Sequence, residues 1–343
     1  MLSCVFVCVV SGPALARTFF SPLAPRGRPE IGQSRMLLHV AALAFDIQIQ
    51  PGRRSFTPPD EPAVVVDLRS RADFRACHLE GSASVPSGEL STLLYTLPPP
   101  AEWPVTLLGT RDQVTEAQGL LQPKGWGASE LIVERVSELE CLGPTTHGDD
   151  SAPTWRPNSF LAAVLRSQQL GNPPDGVVVD VGCGSGRDAV FLRQQLQDPA
   201  WDVVGVDNHA GALERGLALA RSCASDVRFV KTNVRKQPLN ECVAADAQPI
   251  SFVHGCRFLD LAMLESLPEL LAPGGVVVWS TFLEGCELIA PPFRASRRFE
   301  FGQMRRICGE ENGFTVVCDE EGELITRGKW VPAQFYAAIK NGG

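Results

Sequence analysis

Three glycines at alternate positions, Gly182, Gly184 and Gly186, follow the apolar run "VVVD" and precede a helical pattern, "RDAVFL". Glycines at a strand–turn–helix junction let backbone N–H groups approach a ligand that a Cβ would hold away. Two carboxylates flank the turn. Asp180 ends the strand, at the carboxyl edge of the expected sheet, where it could meet a cationic or polar ligand group. Asp207 ends the next strand, "WDVVGVD", placed to accept two hydrogen bonds from a ribose diol. Dinucleotide binding requires G-x-G-x-x-G, whose last glycine permits tight helix–strand packing. Arg187 stands in that place and argues against a pyrophosphate ligand. A P-loop is excluded because no Gly-Lys-Ser/Thr follows. Asp207 alone does not separate the remaining ligands, since dinucleotide folds also place a ribose-binding acid there.

Other reactive groups are sparse. The five histidines, His39, His78, His147, His209 and His254, sit at none of the usual metal-ligand spacings, so no metal site is expected. His254 alone falls on an expected active-edge strand, where a satisfied core histidine is a simpler reading than a base. Eleven cysteines are scattered, odd in number and never spaced Cys-x-x-Cys, which reads as mostly buried thiols in a reducing compartment. A net charge of -8 without a large Lys/Arg cluster gives no general attraction to phosphate backbones, so nucleic acid is not an expected partner. With 44% hydrophobic and 20% charged residues the composition is globular, and no apolar run reaches the roughly 18 to 20 residues of a membrane span.

The elements that must position these groups alternate between strand and helix, the pattern of an α/β fold with parallel sheets. At 343 residues, two domains are expected. In the first, "AVVVDLRS", "PVTLLGT" and "SELIVE" read as strands, with helices in "SGELSTLLYTL" and "RDQVTEAQGLLQPKG". "CLGPTTHGDDSAPTWRPN" breaks the rhythm with Pro, Gly and Thr and reads as the seam. The second series runs helix 158–170, strand 176–180, helix 186–197, strand 202–206, helix 210–223, strand 227–231, strand 250–256, helix 260–271 and strand 275–282. Two closing strands, 314–319 and 331–340, are joined by a turn-rich link and suit an antiparallel pair. The expected divisions are 1–55 as a leader or disordered segment, 56–140 as the first domain, 141–157 as a linker and 158–343 as the second domain. In the leader, "LSCVFVCVV" is followed by "ALA" and by four arginines against Glu30, which suits delivery to a plastid or mitochondrion. The alternative start at Met36 would leave the protein cytoplasmic.

With these residues in place, the second domain resembles the class I S-adenosylmethionine-dependent methyltransferases, whose first motif is an acid followed by G-x-G-x-G. Asp180, Gly182, Cys183, Gly184, Ser185 and Gly186 match it in order, and Asp207 falls at the second-strand acid. "DVRFVKTNV" is similar to the third-strand segment, with Asn233 where many members carry Asp to receive the adenine amino group. "LPELLAPGGVVVWSTF" is similar to the helix, Pro-Gly-Gly turn and fifth strand. The resemblance implies S-adenosylmethionine as cofactor, held by those residues with Asn208 and Val234, and a Rossmann-like seven-stranded sheet with an antiparallel C-terminal pair. Cys183 reads as a small filler beneath the turn.

"FVHGCRFLD" replaces the Asn/Asp-Pro-Pro-Tyr/Phe tetrad of base and amide methylases. Together with "CGSGRDAVFL" and "STFLEG" it looks most like a group related to tellurite-resistance and thiol methyltransferases, which implies a soft or small-molecule acceptor. Arg257, Arg297 and Arg298 are then candidates to hold an anionic substrate, with Trp155 or Phe282 as a pocket wall. Catalytic residues are not assigned, because methyl transfer requires no obligatory base.

The first domain resembles the rhodanese module through Asp67, Arg69, Phe74, His78, Gly81, Ala83 and Pro86 in "VVVDLRSRADFRACHLEGSASVP". Active members open the loop after the "PVTLLGT" strand with a cysteine. Here that loop reads "LLGTRDQ", so sulfur transfer is not expected, and a regulatory, packing or protein-binding role remains open. The leading expectation is methyl transfer to a small molecule. A non-enzymatic S-adenosylmethionine-binding protein and a sulfurtransferase are the alternatives.

Overall fold

The computed structural model describes residues 63–100, 102–243, 248–289, 298–326 and 329–342. The expected leader and Arg297 lie outside the described residues. Everything described falls in one compact unit, Ala44–Gly343.

The front lobe contains β1 (Val64–Asp67), β2 (His78–Leu79), β3 (Ala83–Ser84), β4 (Val105–Gly109), β5 (Ala128–Ile132) and β6 (Thr145–Thr146). Its main sheet has the order β3-β1-β4-β5 and is parallel throughout. β3 is a fourth strand inside a stretch read from the sequence as loop. Two residues suffice for it, Ala83 and Ser84, because Val66 and Asp67 lie alongside as partners. The helices α1 (Arg71–Ala76), α2 (Ser87–Leu93) and α3 (Arg111–Leu121) cover the sheet.

The second lobe adds β7 (Gly176–Val181), β8 (Trp201–Asp207), β9 (Arg228–Lys231), β10 (Ile250–Cys256), β11 (Leu271–Phe282), β12 (Phe314–Thr326) and β13 (Lys329–Lys340). They form one seven-stranded sheet in the order β12-β13-β11-β10-β7-β8-β9, in which β13 alone runs against the others, antiparallel to both β11 and β12. This is an α/β fold with a Rossmann-like core. All six residues of β7 are buried, as a strand covered on both faces requires. Alternation sends Val178 to the layer with Phe160 and Leu192, and Val177, Val179 and Val181 to the layer with Leu264 and Trp279. The helices α4 (Ser159–Arg166), α5 (Arg187–Gln195) and α6 (Ala210–Ser222) belong to this lobe, and Asn158 caps α4 through a bond from Leu161 N, 3.1 Å.

Two sequence expectations change. The single helix over 260–271 is two short ones, Leu261–Glu265 and Leu267–Leu270, divided where Pro268 takes a first-turn place and lacks an N–H to continue the earlier ladder. The turn-rich link between the closing strands is itself strand: pairing runs from Phe314 opposite Lys340 to Thr326 opposite Lys329. The acidic stretch "DEEGELIT" is a poor strand former by composition, and its pairing with the largely buried β13 overrides that preference.

Among the described residues, the cysteines are free thiols and only Cys141 is exposed. No helix among them is long and apolar enough to cross a membrane. The two lobes share apolar packing, since Trp103 of the front lobe joins Trp155, Phe160 and Phe191. Its indole Nε1 donates to Pro157 O at 2.9 Å.

Candidate active site

Strand order reverses at β7. The chain runs outward through β8 and β9 on one side and then returns to β10 on the other, which opens a crevice at the carboxyl ends of the strands. A cavity of about 290 Å³ lies there. Gly182 contributes from just after β7, Asp207 and Asn208 from the end of β8, Asn233, Val234 and Arg235 from the loop after β9, Cys256, Arg257 and Phe258 from the end of β10 and the loop beyond it, and Phe282 from the end of β11. A larger hollow, lined by Arg193, Trp201 and Arg228, sits at the opposite ends of the strands, away from the reversal.

The glycine turn is left-handed at all three glycines, with φ of 71° at Gly182, 55° at Gly184 and 73° at Gly186. A Cβ on Gly182 would lie 2.7 Å from the Phe258 ring, and one on Gly186 would lie 2.6 Å from Phe229. Gly182 N and Cys183 N both donate to Val206 O, at 2.8 and 3.0 Å, which ties the turn to β8. Asp207 completes the tie. Its Oδ2 accepts from Gly184 N at 3.0 Å and its Oδ1 from His209 N at 2.8 Å. Each oxygen retains a further lone pair, so the carboxylate is oriented and still able to accept from a ligand. Gly186 supplies no side-chain cap to α5. Cys183, Gly184, Ser185 and Gly186 shape the turn without lining the cavity. Burial, reinforced by Asp180 and Asp207, pushes the Cys183 thiol far up, which keeps it protonated and un-nucleophilic.

Asp180, expected at the sheet edge, lies beneath it. It is 2% exposed and turns inward, where Oδ1 lies 2.9 Å from His254 Nδ1. Asp188, from the first turn of α5, brings a third ligand-type atom within 4.8 Å of the others. Burial opposes the charged form of His254, but the hydrogen bond and charge of Asp180, with Asp188, outweigh it and raise the imidazole pKa. Burial also raises the Asp188 carboxyl, against the pull of His254. Arg187 and Arg257 interact with the same group through Asp188 and Glu102. Three carboxyl groups thus gather beside two guanidinium groups and the His254 imidazole.

Of the expected substrate residues, Phe282 and Arg257 line the cavity. Trp155 does not: its indole lies against Cys223 Sγ, 3.2 Å away, in a groove between the lobes. Arg298 pairs with Glu287. Asn233 lies at the far side of the cavity, with Oδ1 accepting from Arg235 N at 3.2 Å. Three contributors escaped sequence reasoning. Phe258 stacks against the turn, Arg235 covers Phe258 with its guanidinium carbon 5.7 Å from the ring centre, and Glu102 reaches Arg257 from the other lobe at 2.9 Å. The "CRFLD" segment after β10 was a usable signal for Phe258, whereas nothing local marks Glu102.

Residues 178–275 match a family model described as a methyltransferase domain. The chain carries a methyltransferase domain. The match supports a methyltransferase enzyme that takes S-adenosylmethionine as its cofactor. An uncharacterized protein of Schizosaccharomyces pombe is 26% identical over 316 residues, covering 80% of this chain and 93% of the relative. A carboxy-S-adenosyl-L-methionine synthase of Aliivibrio salmonicida is 25% identical over 129 residues. That match covers 36% of this chain and 51% of the synthase, so the chain spans about half the length of that relative. The solved structure of TehB from Haemophilus influenzae has 15% identity and a TM-score of 0.40, covering 53% of this chain and 62% of TehB.

The residues present fit this cofactor. Gly182 lets the Phe258 ring close against the turn, and an oriented carboxylate, an amide and a guanidinium surround the cavity.

Proposed function

We propose that this domain methylates a small molecule, with Asp207 and Asn208 receiving the ribose of the cofactor, Asn233 and Val234 the adenine, and the turn of Gly182 to Gly186 carrying the main chain past it. The carrying observation is the oriented Asp207 carboxylate in a cavity at the point of strand-order reversal. When bound, the cofactor supplies a methyl carbon activated by a sulfonium. The chain's own task is then to align and desolvate a nucleophile. Phe258, Leu259 and Phe282 give the cavity an apolar wall for that purpose.

Both cavity arginines already face acids, Arg257 with Glu102 at 2.9 Å and Arg235 with Asp260 at 3.5 Å. A charge-balanced wall supports a small acceptor whose nucleophile is soft, a thiol or metalloid, over one bearing several charges.

The front lobe, taken as residues 56–140 and joined by 141–157 to the domain over 158–343, reads as a rhodanese-like domain without sulfur transfer. Its signature residues serve structure. Arg69 makes two side-chain bonds to buried Asp67, at 3.0 and 2.6 Å, and His78 stacks on Phe74 at 3.7 Å. The turn after β4 holds no cysteine, and its N–H groups are taken by Gln113, Glu134 and Thr110. Three of the donors that a persulfide or thiolate would use are thus already engaged. A structural role toward the methyltransferase lobe fits the shared packing of Trp103.

A screen with methyl-labelled S-adenosylmethionine against thiol, metalloid and carboxylate acceptors tests this reading. Label is expected on a thiol or metalloid. Label transferred only to protein would overturn the small-molecule assignment.

A further inference from the structure

We infer that Arg257, held in place by Glu102 of the front lobe, binds the carboxylate at the amino-acid end of S-adenosylmethionine. The inference rests on the adenosine placement proposed above. With the ribose at Asp207 and the adenine toward Asn233, the other end of the cavity is bounded by Cys256, Arg257 and Phe282. The amino-acid end of the cofactor must lie there, and a planar guanidinium matches a carboxylate in charge and geometry.

Arg257 carries three marks of a residue held for a ligand. Its φ is +57°, in the left-handed region that non-glycine residues rarely adopt, and its backbone N donates to Ser280 O at 2.8 Å, which fixes that conformation. Its Nη2 donates to Glu102 Oε1 at 2.9 Å. Its Nε is buried with no hydrogen-bond partner, in a side chain that lines the cavity. Burial works against the charge, but Cys256, Glu102 and Asp188 outweigh it and keep the group protonated.

Glu102 is itself buried and bonded. It is 7% exposed, and Oε2 accepts from Ser159 N at 3.1 Å, Ser159 Oγ at 3.3 Å and Asn158 Nδ2 at 3.3 Å. The adjoining Trp103 is anchored to Pro157, and Arg187 reaches back to the carbonyl of Leu97. The front lobe therefore completes the cofactor site by positioning an arginine that the methyltransferase lobe supplies.

Calorimetric titration of the full chain with S-adenosylhomocysteine and with 5′-methylthioadenosine, which lacks the amino-acid end, tests this. The unmodified protein is expected to prefer S-adenosylhomocysteine. Arg257→Ala should weaken S-adenosylhomocysteine roughly ten- to hundred-fold, leave 5′-methylthioadenosine unchanged and so collapse the preference. Arg257→Lys should restore part of it. Glu102→Gln, which can still accept one bond, should shift the preference in the same direction by a smaller factor. Partial unfolding would weaken both ligands equally, so the ratio isolates the role of the pair. An unchanged ratio in Arg257→Ala overturns the inference. Failure of the unmodified protein to bind either ligand overturns the cofactor site itself.

Discussion

After β4 the chain turns through Gly109 and Thr110 into α3, and after β7 it turns through Gly182 to Gly186 into α5. Both junctions lie at the carboxyl end of a parallel strand, where a helix N-terminus favours an anion or a polar ligand. In the first, Thr110 and Gln113 form a capping box and Glu134 accepts from Arg111 N, so the chain's own side chains take three of the turn's donors. In the second, glycine supplies no cap, and among the described residues the side chain tied to the turn's N–H groups is that of Asp207, which also lines the cavity. One fold unit is thereby closed and the other left able to receive a ligand, by side-chain choice at a few positions.

The largest expected effect tests what supports the open turn. His254→Leu removes the partner of buried Asp180 and should destabilise the chain by about 3–5 kcal/mol, measured by denaturant unfolding. The raised His254 pKa has a definite sign. Its stabilisation is fully present below its ordinary value of 6.5 and is lost as pH rises through the higher folded value, so unfolding free energy should decline across that window, and His254→Leu should flatten the decline. Next in size is Gly182→Ala, which places a Cβ against Phe258 at φ 71° and should cost about 1–3 kcal/mol while also weakening S-adenosylhomocysteine. The smallest effect belongs to the closed turn. Thr110→Ala loses one cap, about 1 kcal/mol, and should leave S-adenosylhomocysteine affinity untouched. A loss of cofactor affinity there would erase the distinction between the two turns.

Much of the second lobe was legible because its information is local. Gly182, Gly184, Gly186 and Asp207 stand at spacings that backbone geometry imposes, and the alternating elements read directly as a parallel sheet. What was not legible depends on partners distant in sequence. Asp180 turns inward because His254, 74 residues away, meets it in the fold. Arg257 read as a free anion-holder, since its acid, Glu102, lies 155 residues earlier. Trp155 read as a pocket wall, yet the lobe interface claims it. The acidic stretch before residue 326 read as a link until its pairing with β13 was seen.

The central claim is that the open turn and Asp207 form the cofactor site. Titration of S-adenosylhomocysteine into the full chain and into Asp207→Ala tests it most directly. The account predicts saturable binding to the unmodified protein and a loss of roughly hundred-fold or more in the variant, as two charge-assisted hydrogen bonds disappear and the turn loses its tie. Equal affinity in the two proteins would contradict it.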